Sequence, residues 1–232
     1  MKQPIYIVWF KRDLRVTDHA PLAHAVADGL SVLPLYVIEP EYWQQDFASR
    51  RHWSFIRDCL TDLREDTAAL GQPLVVREGE MCNVFQRIAS KYSIKGIFSH
   101  EECGNNWTFQ RDKKVIEWCT SNNITLHEFP HNGVVRRLKS RDHWSQIRNA
   151  RMAKPVIPSP NSIAPLVAES IGKIPPVDHP MFGDTILGTV QRGGRRAAIK
   201  TLDSFLARRS VYYVQNISNP ARSDYYCSRL SG

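Results

Sequence analysis

Cysteine is scarce in this sequence, and its spacing argues against two classes of protein. The 232 residues include five cysteines, with no Cys-x-x-Cys pair and no histidine at zinc-ligand spacing; they stand at positions 59, 82, 103, 119 and 227. Disulfide frameworks and zinc sites both need closely patterned cysteines. We therefore expect reduced thiols and no metal site.

Long apolar runs are also missing. No window approaches the ~18 consecutive apolar residues that mark a membrane-spanning helix. The first apolar run, residues 5–10, is short and is followed at once by Lys11, Arg12 and Asp13, unlike a secretory signal. We expect no membrane insertion and a cytoplasmic location.

Two common phosphate-binding motifs are absent. No GxGxxG follows the first predicted strand and no GxxxxGK(S/T) occurs anywhere, which argues against a nicotinamide dehydrogenase or a P-loop NTPase. What the sequence has in surplus is positive charge, with 31 basic against 23 acidic residues and a net charge of +8. Such a surplus attracts polyanions such as nucleic acid, but by itself it does not identify a nucleic-acid-binding protein.

Hydrophobic periodicity predicts a doubly wound α/β domain over residues 1–131. Apolar runs rich in β-branched and aromatic residues are typical of buried parallel strands, and amphipathic stretches between them are typical of helices. The predicted strands are 5–10, 31–38, 73–77, 94–99 and 124–129, and the predicted helices are 18–28, 50–70, 81–92 and 107–122. This alternation implies a five-stranded, parallel, Rossmann-like sheet. Its ligand crevice is expected where the strand order reverses, between strands one and four.

The remaining chain divides into two parts. Residues 132–192 form the predicted linker, because seven prolines between 155 and 180 prevent long helices and favour a segment that runs over a surface. The second of these parts is residues 193–232. Helical periodicity returns there, and residues 194–209 have one apolar face. One helix and a tail have no second layer to bury that face, so this unit needs more chain or a partner.

Polar residues follow the first and fourth predicted strands. The first lip of a candidate ligand crevice lies at the end of strand one and consists of Phe10, Lys11, Arg12, Asp13 and Arg15. Guanidinium and ammonium groups there suit an anionic or carbonyl-rich ligand, and the alternative is an Arg–Asp network that holds the loop under the sheet.

The opposite lip of this crevice carries carboxylates. Glu101, Glu102 and Cys103 follow strand four. Paired carboxylates can act in acid–base chemistry, but beside a basic loop they are better interpreted as counter-ions or as hydrogen-bond acceptors for a ligand ring. No residue is assigned a catalytic role.

Two further segments combine donors with aromatic residues. In residues 134–142, with Trp144, Arg148 and Arg151 following, basic residues alternate with an aromatic and could follow a phosphate backbone. The interpretation we favour is a loop between domains with Trp144 packed beneath it. Near the C-terminus, Tyr213 precedes a Ser-Arg-Leu-Ser run at 228–231, whose hydroxyls and cation match the needs of a pyrophosphate.

Five blocks taken in order carry a resemblance to a known family. They are VWFKRDLRVTDHAPL at 8–22, HEECGNNWTFQRDKKV at 100–115, GGRRAAIKTLDSFL at 193–206, the tyrosine at 213 and SRLS at 228–231. Together they resemble the photolyase/cryptochrome family over nearly the whole chain. The resemblance implies an antenna-type α/β domain, a linker, and the truncated start of an all-helical FAD-binding domain.

The resemblance also implies an activity and a partner. Members of the family hold FAD, and light-driven electron transfer from reduced FAD splits cyclobutane pyrimidine dimers flipped out of DNA. The implied FAD-phosphate residues are Tyr213, Ser228, Arg229, Leu230 and Ser231. We expect a monomer that is inactive by itself, because the remaining flavin and DNA contacts lie in the missing part of the family's chain.

Four positions depart from the family's pattern. Cys227 stands where a threonine is usual, and Arg195 stands where an acid usually follows the two glycines. The Asn-Glu pair of folate-binding members is replaced by Trp107 and Thr108, which argues against a folate antenna. A deazaflavin, another flavin or an empty antenna pocket stay open. So do two other functions: a cryptochrome that signals to a protein partner, and a nucleotide-binding α/β module without photochemistry.

Overall fold

A computed structural model describes most of the chain. It covers residues 1–131, 133–136, 138–166, 169–183, 190–216, 218–219, 221–222 and 227–229. The strands are β1 (Pro4–Phe10), β2 (Ser31–Ile38), β3 (Val75–Glu78), β4 (Ser93–His100) and β5 (Leu126–Phe129). The helices are α1 (Ala20–Ala27), α2 (Pro40–Trp43), α3 (Arg50–Ala69), α4 (Met81–Lys91), α5 (Asn106–Ser121), α6 (Trp144–Met152), α7 (Arg195–Ala207) and α8 (Tyr213–Asn216).

The five strands form one parallel sheet in the order β3-β2-β1-β4-β5. The predicted doubly wound α/β fold is therefore confirmed. The chain runs outward from β1 to β3 and then returns to place β4 on the other side of β1. The carboxyl ends of β1 and β4 consequently border the crevice at which the strand order reverses.

Both faces of the sheet are covered, as the apolar runs predicted. In β1, Ile5 and Ile7 pack into the cluster formed with α4 and α5, whereas Val8 and Phe10 pack into the cluster formed with α1 and α3. Alternate residues of a strand point to opposite faces, so a strand buried on both sides must be apolar throughout.

The proline-rich segment is tied to the α/β domain more closely than a surface linker would be. Three of its side chains, Ile163, Leu166 and Phe182, are buried in the two clusters. Backbone hydrogen bonds also join it to the sheet layer, from the Ile163 N–H to the Leu70 carbonyl (2.7 Å) and from the Val76 N–H to the Ile171 carbonyl (2.9 Å).

Helix α7 is attached to α3 through a glycine pair. A Cβ on Gly193 would lie 2.1 Å from the carbonyl oxygen of Phe55, and the N–H of Gly194 donates to the Cys59 Sγ at 3.1 Å. Arg196 adds ion pairs to Asp62 (3.2 Å) and to other acids of α3. No residue of α7 is buried. Within the described parts of the chain, no helix is long and apolar enough to cross a membrane.

Candidate functional site

The centre of the crevice is the buried carboxylate of Asp13. Its Oδ2 accepts hydrogen bonds from the His19 Nε2 (2.7 Å) and the His100 Nδ1 (2.6 Å), and its Oδ1 accepts one from the Lys11 N–H (2.8 Å). The side chain is only 2% exposed. Burial acts to raise the pKa of Asp13, but His19 and His100 outweigh it and hold the pKa well below its usual value. Asp13 is therefore an ionised acceptor.

His19 has a fixed tautomer. It is the N-cap residue of α1, and its Nδ1 accepts the N–H of Leu22 at 3.0 Å. Because Nδ1 is an acceptor, the ring proton is on Nε2, where it is donated to Asp13. Burial lowers the pKa of His19, against the raising effect of Asp13. The histidine thus joins the β1 loop to the start of α1.

Asp13, His19 and His100 are also close enough together to suggest a metal centre, since one potential ligand atom from each lies within 4.8 Å of the others. Their hydrogen bonds argue against one. A metal on the His19 Nε2 would move the ring proton to Nδ1, which would then face the Leu22 N–H. The N–O separations of 2.6 and 2.7 Å are those of hydrogen bonds. The cluster is therefore best described as a buried hydrogen-bond network.

A third histidine extends this network towards the surface. The rings of His100 and His131 lie 4.9 Å apart, and Arg15 donates to the His131 Nε2 at 3.1 Å. Burial lowers the pKa of His131 to about 4. Arg15 also donates to the backbone carbonyl of Asp18 (2.8 Å), so it holds the loop after β1 in place.

The other half of the crevice is occupied by the guanidinium of Arg111, which projects from α5. It donates to Glu39 at the end of β2 (Nη1–Oε2, 2.5 Å), to Glu102 after β4 (Nη2–Oε2, 2.5 Å) and to Asp112 (Nε–Oδ1, 2.8 Å). Lys11 completes the arrangement with an ion pair to Asp112 at 3.2 Å. Two cations and three carboxylates are thus assembled where four elements of the fold meet.

Burial and charge pairing have opposite effects in this ion cluster, and an aromatic ring contacts both cations. Burial raises the pKa of Glu39 to about 7, against the lowering effect of Arg111. Burial would lower the pKa of Arg111, but Glu39 and the other two carboxylates raise it instead. The Lys11 Nζ lies 4.2 Å and the Arg111 Cζ 4.8 Å from the ring of Trp9. Such contacts between cations and an aromatic ring offset part of the cost of burying charge.

The predicted phosphate-binding residues lie at the end of α7. Arg209 donates to the carbonyl oxygens of Cys227 and Ser228, the latter at 3.4 Å, and its guanidinium lies 5.6 Å from the ring of Phe205. Phe205 in turn contacts Tyr213, with 5.5 Å between ring centres. The structure therefore brings Tyr213 and the start of the Ser-Arg-Leu-Ser run to one region. Leu230 and Ser231 lie outside the described residues.

The backbone at Arg229 has an unusual conformation. Its φ is +56°, in the left-handed region, and its carbonyl accepts a hydrogen bond from the Gln191 side chain at 2.8 Å. The Arg229 side chain is exposed and Ser228 is half-buried. The described part of the run thus has an exposed guanidinium next to a half-buried serine.

Comparison with known proteins decides the family. The DNA photolyase family model matches residues 6–146, which is more than half of the chain. This chain belongs to the DNA photolyase family. A cryptochrome DASH of Gloeobacter violaceus is 23% identical over 249 residues, which cover 97% of this chain and 49% of the relative. The chain thus spans about half the length of this curated relative.

Solved structures support the photolyase fold. A class III photolyase from Agrobacterium tumefaciens superposes with a TM-score of 0.77 at 19% identity, over 100% of this chain and 50% of that one. A photolyase from Sulfolobus tokodaii, described with two FAD molecules, gives a TM-score of 0.66 at 24% identity, over 85% of this chain and 45% of that one. Membership of the photolyase family implies FAD and allows a second chromophore.

The two predicted lips of the antenna crevice, after β1 and after β4, are adjacent in this photolyase-family chain. Their opposite charges pair with each other. Phe10 packs against His19, and Arg12 pairs with Glu102 at 3.2 Å. The N–H of Glu101 donates to the Phe129 carbonyl at 2.8 Å, and Cys103 is exposed. These pairings favour the ion network, which was one of the two interpretations of the sequence.

Several residues of the crevice were not predicted. Glu39 follows β2, so its place at the carboxyl edge of the sheet follows from topology alone. Arg111 and Asp112 lie within the block at 100–115, but nothing in their spacing indicates that they turn towards β2. The role of His19 as the N-cap residue of α1 was not predicted, because aspartate is a common N-cap residue and Asp18 directly precedes His19.

The basic segment after β5 is only partly as predicted. Trp144, expected beneath a loop, is 41% exposed at the start of α6. Arg136 forms a two-pronged ion pair with Glu128 at 2.9 and 3.1 Å, and Arg151 donates to the Val134 carbonyl at 2.7 Å. Arg137 lies outside the described residues.

Proposed function

We propose that this chain is part of a light-dependent flavoprotein that repairs cyclobutane pyrimidine dimers in DNA. It would act as a cytoplasmic monomer, with DNA as the partner and FAD as the cofactor. The observation that carries the proposal is the photolyase family match over residues 6–146, on a fold that superposes along its whole length on a class III photolyase. The bound FAD would supply the electron for splitting the dimer.

The residues of this chain would hold the FAD phosphates. Arg229 offers an exposed cation and Ser228 a hydroxyl, the donor types that a pyrophosphate requires. Arg209 fixes the backbone of this run through the carbonyls of Cys227 and Ser228. The left-handed φ of Arg229 turns the chain at this point, which supports a role in wrapping a phosphate. The chemistry of the present residues therefore fits the phosphate end of FAD.

We propose no second chromophore in the antenna crevice. The crevice of Asp13 and Arg111 is filled by paired charges, so we do not assign a deazaflavin, a flavin or a folate to it. The described residues do not fit an additional chromophore there, and no step of the proposed function passes through one.

The test uses the gene product as its own cell makes it. An affinity tag placed before Met1 at the natural locus retains whatever follows residue 232. The purified protein is expected to show flavin absorption and to remove thymine dimers from an oligonucleotide in light but not in darkness. Absence of flavin under all reconstitution conditions would contradict the family-based proposal. Flavin with a light response but without dimer loss would instead support the cryptochrome function.

A matched pair of variants tests the phosphate role. Arg229→Ala should lower the affinity for FAD about tenfold, because it removes a charge-assisted contact. Arg222→Ala removes an exposed arginine of the same region and should bind FAD as the wild type does. Equal losses in both variants would show that general charge, and not the position of Arg229, attracts the cofactor.

A further inference from the structure

The segment from Gly133 to Lys154, which contains α6, carries a concentrated positive charge. Its sequence has seven basic residues and one acidic residue. Among the described residues four of these cations are exposed: Lys139, Arg141, Arg148 and Lys154. The sequence of this segment has a net charge of +6 (seven basic minus one acidic residue), against +8 for the whole chain. The four exposed cations, with the exposed Asp142 among them, are named here the α6 surface. A partner that matches it is a polyanion.

An aromatic side chain lies beside two of these cations, Arg141 and Arg148. Trp144 is 41% exposed, and the Arg148 Cζ lies 5.9 Å from its ring. Val134, Leu138 and Arg141 line a hollow with it. No residue of α6 is buried, so the helix contributes nothing to either hydrophobic cluster. An exposed indole between guanidinium groups is the usual platform on which a nucleic-acid base stacks.

We propose that the α6 surface binds single-stranded nucleic acid, with the cations contacting phosphates and Trp144 stacking on a base. A single strand is favoured over a duplex, because the bases of a duplex are already stacked on each other. A lipid surface fits less well, since Ser145, Gln146 and Asn149 interrupt the short apolar face of α6. The proposal goes beyond the proposed repair function and does not depend on it, because it needs no flavin and no dimer.

The experiment measures fluorescence anisotropy of a labelled oligothymidine with the flavin-free chain. The wild type is expected to bind with strong salt dependence. Trp144→Ala should weaken binding about tenfold through loss of stacking, whereas Trp144→Phe should restore most of it. Arg141→Ala together with Arg148→Ala should reduce the slope of log affinity against log salt by about 1.4, for two lost phosphate contacts.

The chain offers a matched control on α5. Phe109 is 58% exposed with the Lys113 Nζ at 5.8 Å from its ring, but residues 102–117 include three basic and three acidic residues. Phe109→Ala with Lys113→Ala should leave the affinity unchanged. Equal losses at both places, or wild-type binding by Trp144→Ala with an intact circular dichroism spectrum, would overturn the proposal. Binding to anionic vesicles without binding to the oligonucleotide would also overturn it.

Discussion

The guanidinium of Arg111 donates to the carboxylate of Glu39, with 2.5 Å between Nη1 and Oε2. This contact joins α5 to the end of β2 across the crevice in which a doubly wound fold usually binds its ligand. Arg111 also donates to Glu102 and Asp112. A place that the topology makes available for a ligand is thus used by side chains of the protein itself.

Removing Arg111 should strongly destabilise the fold. Its side chain is 10% exposed and those of Glu39 and Glu102 are 9% and 6% exposed, so Arg111→Ala leaves buried carboxylates without their cation. The expected loss in the free energy of unfolding is about 3–5 kcal/mol. Urea unfolding followed by tryptophan fluorescence measures it.

Arg12→Ala is the matched control for this prediction. Arg12 pairs with the same Glu102, but its side chain is 57% exposed. Solvent screens such a pair, and the expected loss is below about 1 kcal/mol. Equal losses in the free energy of unfolding of the two variants would show that burial of the ion cluster does not explain the effect of Arg111→Ala.

A methyl group at Gly193 should loosen α7 from α3. The added Cβ would lie 2.1 Å from the Phe55 carbonyl oxygen, a backbone atom that cannot move without shifting α3. We expect Gly193→Ala to cost about 1–3 kcal/mol and to increase proteolytic cleavage before α7. Gly96→Ala, whose Cβ would meet its neighbours at an ordinary 3.5 Å, should change the cleavage rate little.

The fold could be predicted because its signals are local. The strand predicted at 31–38 and the helix predicted at 50–70 were observed at Ser31–Ile38 and Arg50–Ala69. Strands buried on both faces appear in the sequence as unbroken apolar runs, and amphipathic helices appear as a periodic pattern. Both signals can be recognised from the sequence alone. The family was within reach for a similar reason, since its motif blocks are continuous in the sequence.

The contacts of the site could not be predicted in the same way. Arg111 and Glu39 are 72 residues apart, and only the packed fold determines which carboxylate a long side chain reaches. Ile163 and Leu166 lie in a proline-rich segment without periodicity, so nothing local indicated that they are buried. Residue chemistry indicated the kind of interaction, and tertiary packing selected the partners.

The pH dependence of stability should contain a contribution from His131. Burial lowers its pKa from 6.5 to about 4, so the unfolded chain takes up a proton before the folded chain does. As the pH falls from about 6.5 to about 4, this group makes the free energy of unfolding decrease. His131→Gln should therefore lose less stability over that window than the wild type, measured by urea unfolding at several pH values. His52→Gln, which removes an exposed histidine of α3, should keep the wild-type slope.

Replacing Asp13 by asparagine should break the network with which the crevice begins. Lys11 donates to one carboxylate oxygen of Asp13, and His19 and His100 donate to the other. Asparagine has one oxygen, so its NH₂ group must face a donor, and we expect a loss of about 2–3 kcal/mol in the free energy of unfolding. Asp18→Asn, at a half-exposed carboxylate, is the control and should cost less than about 1 kcal/mol.

Because the network consists of hydrogen bonds, neither Zn²⁺ nor a chelator should shift the melting temperature of the wild type. A Zn²⁺-dependent increase in melting temperature that is lost in Asp13→Asn would establish a metal centre instead.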